Sequence, residues 1–398
     1  MELRQEVWEI HPDEFISRAR KLHPVLKQRA QKTREDRKVP KETIQELKDA
    51  EFFRMMRPKK WGGYEMNPKY FYDVVFEISR VCPSTGWVLS VVGVHDWQMA
   101  LLDDQAAQDV WGKDLDTLIC SSYMPTGKTT PTEGGVIFNG TWNFSSGCDH
   151  AKWAFLGGTM TSSEGPVDLG DIKSFLVPSS DFKIIDDWYT TGLQGSGSKS
   201  IVVKDVFVPS YRIHGFKEGF ECNSPGIKIN KAPIFKLPFG QVFVRAVSMP
   251  SVGTAQGALD AYCEYNKSRL SSTGVPASTN PASLHAATVA NSAIRAAVLK
   301  MRDAYDSLLG YVESKKDFPD YVRAEYRYDA AEAVTSCVNA VQDLLSNSGG
   351  RAIHQGNAVN EFLQDMQAFR QHAANQPHAL DVNLGSVLFG EPNVDYFS

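Results

Sequence analysis

The hydrophobic period changes twice along this chain, and that alternation restricts its fold more than any single motif. Residues 1 to about 113 follow a helical pattern, residues 116–215 alternate with a period of two, and helical spacing returns from about 245. A period of two sends successive side chains to opposite faces of a strand, whereas steps of three and four keep them on one face of a helix. In VPKETIQELKDAEFF (39–53) Pro40 stands at a helix start, and the glycine pair of KWGGYEMNPKYF (60–71) breaks the pattern. FYDVVFEISRV and STGWVLSVVGVHDWQMALL then read as buried helices.

In the middle zone, VIFNGTWNF (136–144) sets Asn139-Gly140 between alternating runs, which predicts a two-residue hairpin turn there. KWAFLGGTM, KSFLVPSSDFKIID and SKSIVVKDVFVP continue as strands. Further on, Ile294, Val298, Met301, Tyr305, Leu308 and Val312 mark one face of a long helix, and Val334, Val338, Val341 and Leu345 mark another. Helices are also expected near 250–270 and 358–374, so a four-helix bundle is the economical assembly. The expected fold class is α+β: an N-terminal helical domain over 1–115, a central β-barrel or sandwich domain over 116–215, and a C-terminal four-helix bundle over 216–398. Residues 216–235 read as an irregular connection.

Several function classes drop out. The formal net charge is −5 and no basic block stands out, so nucleic acid is not an expected partner. The opening MELRQEVWEIHPDEF is charged, and no apolar run approaches the ~20 residues that span a bilayer. Neither a signal peptide nor a membrane partner is expected. The six cysteines are scattered without a CxxC pair, which argues against a disulfide framework and structural zinc and fits a reducing cytoplasm.

Three short stretches carry candidate chemistry. NFSSGCDHAKW (143–153) gathers serines, a cysteine, an aspartate and a histidine, but it has no nucleophile elbow, and adjacent strand residues point apart. Alone it reads as a polar strand end. GLQGSGSKS (192–200) suggests phosphate binding, yet Ser198 separates Gly197 from Lys199 and no third glycine follows; alone it is a glycine-rich turn. GVHDWQ (93–98) holds His95 in an apolar run beside Trp87 and Trp97, where core packing is the plainer account.

Read jointly, STGWVLSVVGVHDW, GTWNFSSGCDHAKWAFLGG and DDWYTTGLQGSGSKSIVVKDVFVP resemble the oxygenase components of two-component flavin-dependent monooxygenases, a group built on the acyl-CoA dehydrogenase fold. The steroid-degrading branch lies nearest, and p-hydroxyphenylacetate hydroxylases are more distant. The likeness runs from KWGGYEM through SGGRAIHQGN to the tail. It implies a helical domain, a β domain and a four-helix bundle. It implies that reduced FMN or reduced FAD, delivered by a separate reductase, reacts with O2 to form a C4a-hydroperoxyflavin that hydroxylates an aromatic compound. By the same likeness Ser146 bonds flavin N5, with Trp142 and Ser145 lining that region. His95 stands beside flavin and substrate, and Ser121 of CSSYMP is a pocket serine. The loop Gly195, Ser196, Gly197 and Ser198 approaches the flavin. Gly349, Gly350 and Arg351 approach the flavin of a neighbouring subunit, and Arg269 is a candidate for its phosphate. Trp97, Phe239, Gln367 and His372 are carried over as the substrate pocket. A shared site implies an oligomer, expected to be a homotetramer.

The sequence departs from the family in two places. Gln367 in FLQDMQAFRQHAAN falls where the family often has a histidine, and glutamine is no base near neutral pH. Either His95 acts alone, His372 reaches in from the next turn, or the oxygenated centre is an indole, amine or sulfur. Gly240 of IFKLPFGQ replaces an arginine that binds a substrate carboxylate in p-hydroxyphenylacetate hydroxylases, which favours an apolar, polycyclic substrate. The rival enzyme class, an acyl-CoA dehydrogenase, needs a carboxylate base. Its usual position is Ala373 here, leaving Asp260 and Glu264 as alternatives.

Overall fold

The structure, a computed structural model, describes residues 10–160, 169–270, 274–395 and 397–398. The charged opening MELRQEVWE lies outside them. Five helices come first: α1 (Pro12–Glu35), α2 (Lys41–Asp49), α3 (Pro68–Val81), α4 (Pro83–Met99) and α5 (Asp104–Trp111). Asn67 caps α3 by accepting the Lys69 N–H, with Pro68 at the first helical position. Pro83 opens α4 and holds Cys82 extended (φ −147°), so the chain breaks between the two helices at a single residue.

All 17 residues of α4 are buried, which explains why its sequence is apolar without a polar stripe. Helices before and after the sheet share one hydrophobic core that includes Phe53, Phe71, Leu89, Val92, Val247 and Met301. The first and last zones of the chain are therefore one packed body around α4.

Seven strands form one sheet: β1 (Ile119–Thr132), β2 (Gly135–Ser145), β3 (Trp153–Thr159), β4 (Ile172–Pro178), β5 (Phe182–Ile185), β6 (Lys199–Pro209) and β7 (Ile213–Gly215). Their order is β5-β6-β2-β1-β3-β4-β7, with β1 and β3 parallel. The register slips on β1 between Ser122 and Gly127. The halves on either side of β1 share a core, where the ring of Phe138 stacks on Phe175 at 4.2 Å. The hairpin expected at Asn139-Gly140 is displaced: Thr132 pairs with Gly135, so the turn is Glu133-Gly134. Asn139 instead lies in mid-strand, and its side-chain carbonyl accepts the Asp205 N–H at 2.7 Å where β6 bulges. Asp205 takes the left-handed conformation there (φ 52°).

After α6 (Phe216–Phe220) and two short 3-10 turns come α7 (Phe239–Ser268), α8 (Pro281–Glu313), α9 (Asp320–Ser346), α10 (Ala358–Arg370) and α11 (His378–Leu388). Helices α7 to α10 pack as a bundle. Helix α7 starts well before the expected 250 because Pro250 does not end it. The carbonyl that Pro250 cannot bond, that of Ala246, accepts the Ser90 hydroxyl of α4 at 2.7 Å. Gly240 at its start packs on the final residues, where a β-carbon would meet the Phe397 carbonyl oxygen at 2.2 Å.

Candidate active site

Because α4 is buried on every side, each polar group it carries needs a partner inside the protein. Asp96 pairs with Arg57 at 2.6 Å, and Trp97 donates to the Ile234 carbonyl at 2.7 Å. Trp87 donates its indole N–H to the Ser146 hydroxyl at 2.8 Å. One atom stands apart: His95 Nε2 is buried with no hydrogen-bond partner among the described residues. The other ring nitrogen, Nδ1, lies 3.0 Å from Gln98 Oε1 and 3.3 Å from the Tyr123 hydroxyl.

The His95 ring is surrounded by aromatic edges and faces. Phe155, Tyr123 and Phe243 lie 5.5, 6.0 and 6.5 Å away, centroid to centroid. Burial lowers the imidazole's pKa to about 3, so His95 is neutral near pH 7. Burial also holds the Tyr123 phenol protonated, well above its usual range. Ser121 lies two residues before Tyr123 on β1, and so on the same face of the strand. Phe239 stacks on Phe243 at 5.6 Å, and Trp97 stacks behind Phe239 at 6.2 Å. The sequence-derived set of His95, Ser121, Trp97 and Phe239 is thus one neighbourhood. Tyr123 and Gln98 belong to it, although neither stood out in the sequence.

A second cluster lies two turns back along α4. Phe144 adopts φ 65°, a conformation that few bulky residues take, and it ends the strand alternation of β2. Beyond it Ser146 Oγ is 2.7 Å from Ser198 Oγ, which is 2.7 Å from Ser196 Oγ. The backbone fixes this contact, since Gly147 N–H donates to the Ser196 carbonyl at 3.0 Å and Gly197 takes φ 55°. The loop is tied to α10 by Asp365, which accepts the Leu193 N–H at 2.7 Å. Three hydroxyls carry three protons but make only two bonds among themselves, so one O–H remains to donate outward. Ser145 Oγ, fully buried, likewise has no partner among the described residues. These spare polar atoms fit the edge of a flavin ring.

Trp87 links that cluster to the bundle, with Phe369 at 5.4 Å and His372 at 5.8 Å. His372 Nδ1 accepts the Ala374 N–H at 3.1 Å, so its remaining proton sits on Nε2. Burial, reinforced by Arg327, lowers its pKa to about 4. Gln367, by contrast, is exposed on α10, so it is His372 and not Gln367 that lies beside Trp87. Trp142 also moves out of the expected cofactor region. Its side chain points into the sheet core, beside Phe138, and donates to the Gly157 carbonyl at 2.7 Å.

The remaining candidates sort plainly. Arg269 bonds Asn266 and the Asn347 carbonyl, and its guanidinium lies against Gly349. Gly349, Gly350 and Arg351 are exposed, and among the described residues no hydrogen bond joins this group to the serines. Cys148 faces the Gly197 carbonyl, and burial pushes its thiol up to about 12, which removes it as a nucleophile. Asp149 is paired with Lys199 at 2.9 Å. Asp260 is paired with Arg80 and Glu264 with Lys267 on the surface, so neither is a buried base. Among the described residues no group of His, Cys, Asp and Glu could hold a metal, and no helix is long and apolar enough to cross a membrane.

Residues 14–104 match the acyl-CoA dehydrogenase N-terminal domain and residues 246–377 its C-terminal domain. The chain is 39% identical to the flavin-dependent monooxygenase oxygenase subunit HsaA of Rhodococcus jostii (strain RHA1), over 94% of this chain and 98% of that one. It is 38% identical to the HsaA of Mycobacterium tuberculosis (strain CDC 1551 / Oshkosh), over 94% and 95%. The crystal structure of 3-HSA hydroxylase from Rhodococcus sp. RHA1 superposes with a TM-score of 0.92 at 38% identity, covering 97% of this chain and 99% of that chain.

Proposed function

Since the chain belongs to the oxygenase subunits of flavin-dependent monooxygenases, built on the acyl-CoA dehydrogenase fold, we propose that its α4 pocket hydroxylates a large, apolar, phenolic compound. When bound, reduced flavin from a separate reductase supplies, together with O2, the oxygen atom that is transferred. The residues of this chain position and protect that chemistry. Ser146, backed by Ser196 and Ser198, would hold the flavin's N5 edge with its spare O–H. The Trp87 N–H occupies one lone pair of Ser146 and keeps that hydroxyl oriented. A fixed, water-excluded donor of this kind costs no reorganisation during the reaction.

The observation that carries the reading is the bare, buried Nε2 of His95 in an aromatic enclosure. A neutral imidazole nitrogen there accepts a hydrogen bond from a phenol's O–H and so raises electron density on its ring. His372 is suited to the opposite task, because its Nε2 carries a proton it can donate. The enclosure of Tyr123, Phe155, Phe239 and Phe243 offers no cation for a carboxylate, and the Phe397 backbone leaves no room for one at position 240. The Rhodococcus relative's name, 3-HSA hydroxylase, supports hydroxylation as the reaction. Arg269 with Gly349 to Arg351 would complete the flavin site of a second copy in a homotetramer, and the six free cysteines suit a reducing cytoplasm.

Substrate panels test this reading. Product formed per reduced flavin should be high with polycyclic phenols and low with p-hydroxyphenylacetate. The reverse order would refute the apolar pocket.

A further inference from the structure

The hydrogen bonds around His95 define which of its nitrogens carries the proton, and the residue that sets this is Gln98. Gln98 lies one turn on from His95 along α4, and its side-chain oxygen meets two groups, His95 Nδ1 at 3.0 Å and the Tyr123 hydroxyl. Its side-chain nitrogen faces Ser174 Oγ at 3.3 Å, and that hydroxyl is directed at the His214 carbonyl at 3.4 Å. A carbonyl can only accept, so the Ser174 proton is committed to it and Ser174 must accept from the amide nitrogen. This fixes the amide with its oxygen towards His95 and Tyr123.

An amide oxygen has two lone pairs, and two donors satisfy it. Tyr123 supplies one donor and His95 Nδ1–H the other. The opposite tautomer would set a lone pair of Nδ1 against a lone pair of Gln98 and leave Nε2–H as a buried donor without an acceptor, which is the costlier arrangement. The chain of bonds ends on a backbone carbonyl, so it cannot pass a proton to solvent. It orients; it does not conduct.

We propose that Gln98 is a positioning residue that locks His95 as the Nδ1–H tautomer, anchored through Ser174 and Tyr123, so that Nε2 faces the substrate as an acceptor. The consequence for turnover rests on the reading of His95 given above, but the tautomer itself does not. Gln98→Met keeps the side chain's length and removes the acceptor; Gln98→Glu keeps an acceptor in the same place.

The test uses the full chain labelled with 15N-histidine, with the His95 signals assigned by their loss in His95→Asn. The expected spectrum shows a protonated Nδ1 and a bare Nε2 in the unaltered protein and in Gln98→Glu, and a tautomer mixture in Gln98→Met. Product per reduced flavin should fall roughly tenfold in Gln98→Met and recover at least in part in Gln98→Glu. An unchanged Nδ1–H tautomer in folded Gln98→Met would overturn the proposal. A tautomer change with no loss of product would uphold the positioning role and refute the function assigned to Nε2.

Discussion

Trp87 and Ser146, 59 residues apart in sequence, are joined by an indole N–H to hydroxyl bond of 2.8 Å. That bond ties the buried helix α4 to the end of β2 and sets the serine chain in which one O–H is left over. Ser146→Ala should therefore leave reduced-flavin binding within a few-fold while raising hydrogen peroxide released per turnover. Trp87→Phe keeps the ring packing on Phe369 and His372 and removes only the donor. It should raise peroxide less than Ser146→Ala and cost about 1 kcal/mol in stability. Peroxide per reduced flavin consumed, assayed in both variants, checks the ordering.

Asp365 holds the GLQGSGS loop to α10 by accepting the Leu193 N–H, and it also pairs with Arg34 of α1 at 3.5 Å. Asp365→Ala leaves a buried N–H unpaired and should destabilise the fold by about 1–3 kcal/mol. It should also weaken reduced-flavin binding several-fold, because Ser196 and Ser198 ride on that loop. Anaerobic titration of reduced flavin, alongside urea unfolding, checks both effects.

Three histidines, His95 and His214 buried and His372 half-buried, make the fold sensitive to acid. Burial lowers His95 to about 3 and both His214 and His372 to about 4, from an ordinary 6.5. Below 6.5 the unfolded chain binds protons that the folded chain refuses, so stability is complete above that pH and drains as pH falls towards 4. Each histidine contributes a slope of up to about 1.4 kcal/mol per pH unit. His214→Gln, placed away from the proposed flavin contacts, should lose less stability between pH 6.5 and 4.5 than the unaltered protein. Equal losses in urea unfolding would contradict the assignment.

Gly240 is accounted for by packing. A β-carbon there would lie 2.2 Å from the Phe397 carbonyl oxygen, so Gly240→Ala should shift backbone and cost about 1–3 kcal/mol. A thermal unfolding midpoint equal to that of the unaltered protein would show that the final residues do not pack as described.

The periodicity in the sequence indicated what packing alone determines: the long faces of α8 and α9 and the change to strands at β1. It misplaced the hairpin because Asn139-Gly140 suits a tight turn and a bulge alike, and only the pairing with β6 separates them. Trp87 looked like core and is core; its N–H becomes informative once β2 brings Ser146 against it. Gln98 and Tyr123 carry no spacing signal, since their partnership with His95 is made between α4 and β1. Gln367 lies on an exposed face of α10, whereas Phe369 on that helix and His372 just past its end turn towards Trp87, a difference made by the chain's turn after Arg370.

In the proposed function, the site built on Ser146 and His95 guides oxygen from O2 on reduced flavin to a substrate. Rapid mixing of the anaerobic protein with reduced FMN or reduced FAD against oxygenated buffer tests it most directly. The account predicts a long-lived absorbance transient, distinct from reduced and oxidised flavin, that shortens markedly in Ser146→Ala and decays faster with a polycyclic phenol present. Direct reoxidation to free flavin without a transient, at the rate seen without protein, would contradict it.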